Sequence, residues 1–245
     1  MLTQKQIDHY HTQGYVIPDY RLPVSVINEL KSRHAALLET RPEYNDYCGA
    51  LLIHDLGFLN VARNEAILNG VAQLIGPDIA IWNASLFAKP ARVGTRTPWH
   101  QDGEYWPVEP LATCSVWIAL DDATRDNGCL RFLPGSHASQ TLAPHHFSDA
   151  KDISLPLELD ADSYNEADAV YIELEAGQIS LHDVYLMHGS EANLTDQPRR
   201  GMTLRYMPTT SIYRRDRNKS PVDDQRPVFL MRGEDKSRAN DFRVR

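Results

Sequence analysis

Cysteine is scarce: Cys48, Cys114 and Cys129 are scattered and odd in number, which argues against a disulfide framework and points to a reducing compartment. No run approaches the eighteen or so apolar residues that a membrane-spanning helix needs, and Met1-Leu2-Thr3-Gln4-Lys5-Gln6 lacks the apolar core of a signal peptide. The expectation is a cytoplasmic protein with no membrane partner. A basic excess is also missing. With 25 Lys/Arg against 33 Asp/Glu the net charge is −8, which argues against nucleic acid as a partner because phosphate binding is dominated by basic residues. Internal repeats, low-complexity tracts and inter-domain linkers are absent as well.

What is present suits a globular enzyme. At 245 residues and 42% hydrophobic content the chain can bury a sizeable core. Its charge is uneven: residues 211–245 carry ten Lys/Arg against six Asp/Glu, so an acidic body ends in a basic tail. Helices are predicted over 3–13, capped by Thr3 and ended by Gly14, from Pro23 or Ser25 to about Arg41, and over 64–75. Their apolar stripes read as core packing. A strand is predicted at 15–18. Beyond Pro77 the texture changes to short β-rich runs at 79–88, 112–120, 129–133, 169–173, 178–187 and 199–207, divided by turns such as Asp126-Asn127-Gly128. Strands without intervening helices indicate an antiparallel sandwich or barrel. Residues 138–168 read as a long surface loop of the kind that borders a site. One domain over 1–245 is the economical organisation, with a helical layer at 1–77, a β core at 78–208 and a basic extension at 209–245.

The chemistry centres on Trp99-His100-Gln101-Asp102. A histidine and an aspartate two apart share one face of an extended strand and can reach one metal ion. With His188, about ninety residues on, they form two nitrogens and one carboxylate oxygen, the facial set that leaves positions open on non-haem Fe(II).

Around this motif stand Thr97-Pro98-Trp99-His100-Gln101-Asp102-Gly103-Glu104-Tyr105-Trp106-Pro107, Trp117–Asp122, Asn127–His137, His188-Gly189-Ser190 and Pro198-Arg199-Arg200. In order and spacing these blocks resemble the phytanoyl-CoA dioxygenase family of Fe(II)/2-oxoglutarate-dependent oxygenases, from the Gly14-Tyr15 region to about Pro208. The resemblance implies a double-stranded β-helix, or jelly roll, a cupin-like fold that is mainly β with flanking helices. It implies an oxidoreductase that oxidatively decarboxylates 2-oxoglutarate to succinate and CO2 and hydroxylates a small-molecule substrate, with Fe(II) as metal, O2 as oxidant and ascorbate as a candidate stimulant. His100, Asp102 and His188 match the catalytic metal ligands. Arg199 matches the arginine that pairs with the far carboxylate of 2-oxoglutarate, and Ser190 and Trp117 match positions lining the cosubstrate pocket. Arginine suits its task because its planar fork meets a carboxylate with two parallel hydrogen bonds. Asp102 favours hydroxylation, since related halogenases replace this carboxylate with a small residue. One departure is Ala88, where relatives carry an amide before Lys-Pro; Asn83 or Lys89 is then the candidate polar contact. The resemblance leaves the substrate open, and the basic tail with Lys89 favours an anionic metabolite.

Each assignment has a plainer alternative. Most of the ten histidines read as surface or core residues. His182 shares parity with His188 but is expected to stay outside the ligand set, because both would sit too close together in one strand. His137 reads as a structural residue of its turn. Trp99, Tyr105 and Trp106 are candidate substrate contacts, although aromatics beside a strand usually pack. The stretch Arg214–Lys219 reads as a solvated surface or an anion-holding lid. The competing functions are a cupin-like metal protein without 2-oxoglutarate chemistry, which has no use for Arg199, and a non-catalytic binding module. Oligomeric state is not legible.

Overall fold

A computed structural model of the chain describes residues 1–217 and 225–242. Asn218 and Lys219 of the basic stretch therefore lie outside the described residues.

Two antiparallel sheets face one another, and helices cover the outside of the larger. The larger sheet runs β1 (Tyr15–Val16), β11 (Ile179–Asp183), β6 (Cys114–Ala119), β13 (Gly201–Pro208), β3 (Ile79–Phe87) and β15 (Phe229–Arg232), with β2 (Tyr47–Cys48) also on β3. The smaller runs β10 (Val170–Ile172), β7 (Leu130–Phe132), β12 (His188–Ser190) and β4 (Thr97–His100). Two ribbons, β5 (Val108–Glu109) with β14 (Ile212–Tyr213) and β8 (His145–Phe147) with β9 (Leu157–Leu159), complete the β structure of the described residues. This is the double-stranded β-helix that the family resemblance implies, and it agrees with the antiparallel sandwich or barrel read from the strand texture. The larger sheet exceeds the 78–208 bounds, because β1 and β2 join it from the N-terminal segment and β15 from the C-terminal one.

Strand alternation sorts the side chains into two layers. On β13, Met202, Leu204 and Tyr206 point outward into a core shared with Val116 and Ile118 of β6 and with the helices α1 (Gln4–Gln13), α2 (Val24–Thr40) and α5 (Glu65–Ile75). The short helices α3 (Leu51–His54) and α4 (Leu59–Ala62), not anticipated from sequence, add Leu51, Leu52 and Leu59 to it. Truncating a fully buried member such as Leu204 to alanine costs about 2–5 kcal/mol, because the cavity left behind collapses only in part. The helix ends follow local chemistry. Thr3 and Gln6 form a reciprocal capping box, and Gly14, at φ 85°, closes α1 in the left-handed conformation that a side chain would strain.

Three differences from the expected elements matter for the site. The predicted 178–187 strand ends at Asp183, turns, and restarts as β12 in the opposite sheet. The 138–168 excursion carries the β8–β9 ribbon and two 3-10 turns, Ala161–Ser163 and Glu166–Asp168. On β3, Asn83 pairs with Arg205 while Ile81 pairs with Tyr206, so Trp82 is an extra residue and the strand bulges there. No helix among the described residues is long and apolar enough to cross a membrane.

Candidate metal centre and adjoining cavities

The two sheets meet at Asp102. His100 at the end of β4 and His188 at the start of β12 are directly paired across the smaller sheet, which puts their rings side by side with centroids 4.1 Å apart. Gln101 is extended (φ −112°, ψ 129°), so Asp102 returns to the face occupied by His100. One donor atom from each of His100, Asp102 and His188 lies within 4.8 Å of the others, and all three residues are buried.

The hydrogen bonds set these groups up as ligands. Nδ1 of His100 donates to the Pro98 carbonyl at 2.8 Å and Nδ1 of His188 to the Leu186 carbonyl at 2.9 Å. A carbonyl can only accept, so each proton sits on Nδ1 and each Nε2 is left with a lone pair for a metal. Burial, with repulsion from His100, holds the His188 imidazole well below the usual histidine range and therefore neutral. Burial works against ionisation of Asp102, yet the imidazoles of His100 and His182 beside it and the charge of the Arg205 guanidinium outweigh it, and its carboxyl stays well below the ordinary range. Two imidazole nitrogens and one carboxylate suit non-haem Fe(II).

The larger sheet steadies the carboxylate from behind. Ser115 and His182, paired across β6 and β11, lie 3.1 Å and 3.4 Å from Oδ2 of Asp102. His182 is therefore not strung out in one strand with His188, as the sequence suggested. The chain changes sheets between them, and their rings face one another at 4.9 Å. Neither ring nitrogen of His182 meets hydrogen-bond geometry with a partner.

A narrow cleft with about 20 Å³ of free space adjoins the three residues and is also lined by Trp117, Ser190 and Arg199. That volume holds little more than one water, so a five-carbon diacid fits only as side chains give way. Arg199 is 1% exposed; its Nη1 donates to the Phe87 carbonyl at 3.2 Å, its guanidinium lies 5.5 Å from the Trp117 ring centroid, and its Nε has no partner. Burial pulls its pKa down to about 10, which still leaves it charged at neutral pH. A buried guanidinium with an unspent donor fits a carboxylate ligand. Trp117 lies so close over Gly201 that a Cβ there would stand 2.1 Å from the indole. Arg200 turns away and grips Asp121 with two hydrogen bonds, at 2.7 and 2.9 Å.

A cavity of about 590 Å³ opens on the other side of Asp102. Tyr105 and Trp106 line it together with Tyr47, Trp82, Asn83 and Arg205. The β3 bulge explains why neighbours Trp82 and Asn83 both face it. Trp99 does not: alternation turns it away from His100, into a packed group with Leu133 and Leu159 under the Arg131 guanidinium. The two candidates offered in place of the amide at Ala88 are also displaced from the cleft. Asn83 sits in the larger cavity, donating to the Gly49 carbonyl at 3.0 Å. Lys89 is buried with its ammonium donating to the Thr95 carbonyl.

Sequence reasoning missed Arg205, Ser115 and Trp82. For Arg205 a signal existed: Arg199, Gly201, Thr203 and Arg205 recur with period two, and Arg199, Thr203 and Arg205 all border the cleft.

A family profile described as phytanoyl-CoA dioxygenase (PhyH) matches residues 10–201, well over half of the chain. The chain belongs to that family. A relative from Dictyostelium discoideum, the phytanoyl-CoA dioxygenase domain-containing protein 1 homolog, is 30% identical over 177 residues, covering 70% of this chain and 57% of the relative. The chain thus spans little more than half of that family member. Among solved structures, the non-heme monooxygenase ThoJ in its apo form is similar with a TM-score of 0.77 and 27% identity, covering 97% of this chain and 86% of that one. EvdO2 from Micromonospora carbonacea var. aurantiaca, solved with 2-oxoglutarate, gives a TM-score of 0.71 and 25% identity over 85% of this chain and 91% of that one.

Proposed function

We propose that the chain is an Fe(II)/2-oxoglutarate-dependent dioxygenase that hydroxylates an unactivated C–H bond of a small molecule. The observation that carries this is the convergence of His100, Asp102 and His188 within 4.8 Å at a cleft whose far wall is the buried, incompletely partnered Arg199. Family membership and the likeness to ThoJ and to EvdO2 with 2-oxoglutarate support it. A cupin-like protein without 2-oxoglutarate chemistry would have no task for Arg199.

Each residue has a part. His100 and His188 present Nε2 lone pairs, locked in direction by the Pro98 and Leu186 carbonyls. Asp102 supplies the one negative ligand, and Ser115 holds its second oxygen. Arg199 receives the distal carboxylate of the cosubstrate, and Trp117 walls that side of the cleft from water. The larger cavity brings substrate against Asp102, beside the ligand set. When bound, iron would activate O2, the oxidant, with 2-oxoglutarate giving up two of the four electrons as it becomes succinate and CO2 and the substrate C–H bond giving up the other two.

The test is whether purified protein with Fe(II) and ascorbate converts 2-oxoglutarate to succinate, first alone and then with a panel of candidate metabolites. Succinate release that a metabolite stimulates is expected. No turnover with any compound would return the chain to the binding-module reading.

A further inference from the structure

A second buried guanidinium stands where the two cavities meet. Arg205 is 5% exposed and borders both the narrow cleft and the 590 Å³ cavity. A charge taken out of water is costly unless it is paired. Yet among the described residues no carboxylate lies within 4.0 Å of Arg205, the limit for an ion pair. Its Nη1 donates to the Ser85 hydroxyl, its guanidinium lies 5.0 Å from the Trp106 ring centroid, and its Nε has no partner. Asp102, whose charge acts on Arg205, already accepts a hydrogen bond from the Ser115 hydroxyl and is a member of the proposed ligand set.

Charge balance says what is missing. On the dioxygenase reading, the metal dication, Asp102, the 2-oxoglutarate dianion and Arg199 together are neutral, which leaves the buried Arg205 uncompensated. The other cation of the cavity wall, Arg226, uses its Nη1 to hold the Gly49 carbonyl and the Asn83 amide oxygen, both at 2.6 Å, and so shapes the wall. Much of the rest of the cavity is apolar or aromatic, with Ile53 and Leu155 beside Tyr47, Trp82 and Trp106.

We propose that Arg205 anchors a carboxylate on the substrate, whose apolar or aromatic body packs against Trp82, Trp106 and Tyr47. The charge argument rests on the dioxygenase reading; the buried, unpaired guanidinium and the cavity do not.

Trp82 and Trp106 make the cavity report on itself through tryptophan fluorescence. The experiment titrates acid–amide pairs of matched shape, 3-phenylpropionate with 3-phenylpropionamide and cyclohexylacetate with cyclohexylacetamide, into the full chain without metal or 2-oxoglutarate. At least one acid is expected to bind roughly tenfold or more tighter than its amide. Arg205→Gln should erase that preference, and Arg205→Lys, which keeps the charge, should retain part of it. In the Fe(II)-loaded protein without O2, Arg199→Gln should weaken 2-oxoglutarate binding at least about tenfold and by much more than Arg205→Gln does. The proposal is overturned if no acid outbinds its amide in the unmodified chain, if the preference survives Arg205→Gln, or if Arg205 rather than Arg199 proves to hold 2-oxoglutarate. Should Arg205→Gln not fold, the acid–amide comparison and Arg205→Lys still decide. A clear acid preference in a protein that makes no succinate supports the anchor while sinking the dioxygenase reading.

Discussion

The narrow cleft and the broad cavity share Asp102 and Arg205 but are built differently. The cleft is walled by strands of the two facing sheets: His100 and His188 from the smaller, Trp117 and Thr203 from the larger. The cavity keeps Trp82, Asn83 and Arg205 from the larger sheet and adds residues from distant segments, with Tyr47 from the N-terminal segment, Tyr105 and Trp106 from the turn after β4, Leu155 from the long excursion and Arg226 from the C-terminal segment. Regular strands fix a constant chemistry, while segments from distant parts of the chain fix the shape of a variable one. Changes on the cleft side should therefore abolish 2-oxoglutarate turnover, and changes on the cavity side should alter only what is hydroxylated.

The largest effect is expected at the shared ligand: Asp102→Ala should lower succinate formation by more than about a hundredfold, with or without substrate, since losing even an outer-shell partner of a metal ligand typically costs 10–100-fold. Retained turnover would remove Asp102 from the ligand set. Arg199→Ala should raise the KM for 2-oxoglutarate about 10–100-fold, the value of a charge-assisted contact, in a cosubstrate titration. Gly201→Ala forces a methyl against the Trp117 indole and should cost about 1–3 kcal/mol, read as a lower Tm together with a raised 2-oxoglutarate KM. The smallest effect falls on the cavity side. The Tyr105 hydroxyl donates to the Leu157 carbonyl at 2.8 Å and accepts from the Leu157 amide at 3.0 Å, so Tyr105→Phe should cost about 1 kcal/mol. It should weaken substrate stimulation severalfold and leave substrate-free succinate release unchanged. If Tyr105→Phe damaged substrate-free turnover as badly as Arg199→Ala, the two cavities would not be separable.

The same contrast explains what could be read in advance. His100, Asp102, His188 and Arg199 stand in compact motifs within regular strands, where period two predicts which side chains share a face. The antiparallel strands are legible for that reason too, while the jelly roll itself follows from the family resemblance. For His182 the one-strand placement fails, though not its separation from the ligand set, because the chain crosses between sheets at 184–187, a tertiary event that periodicity does not encode. For Trp99 the plainer alternative, packing, is the one that fits, since alternation from His100 turns it away. Asn83 and Trp82 depend on a bulge, one inserted residue that reverses the facing of everything after it. Tyr47 and Arg226 come from segments with no motif at all, and only their packing brings them to the cavity.

The most direct measurement is an anaerobic titration of the Fe(II)-loaded protein with 2-oxoglutarate, followed by the metal-to-ligand charge-transfer absorption that a chelated keto acid produces. The band should saturate at one 2-oxoglutarate per chain, disappear in His188→Ala, and need much more 2-oxoglutarate in Arg199→Ala. Absence of the band in the unmodified protein, or its survival without His188, would contradict the assignment of this site.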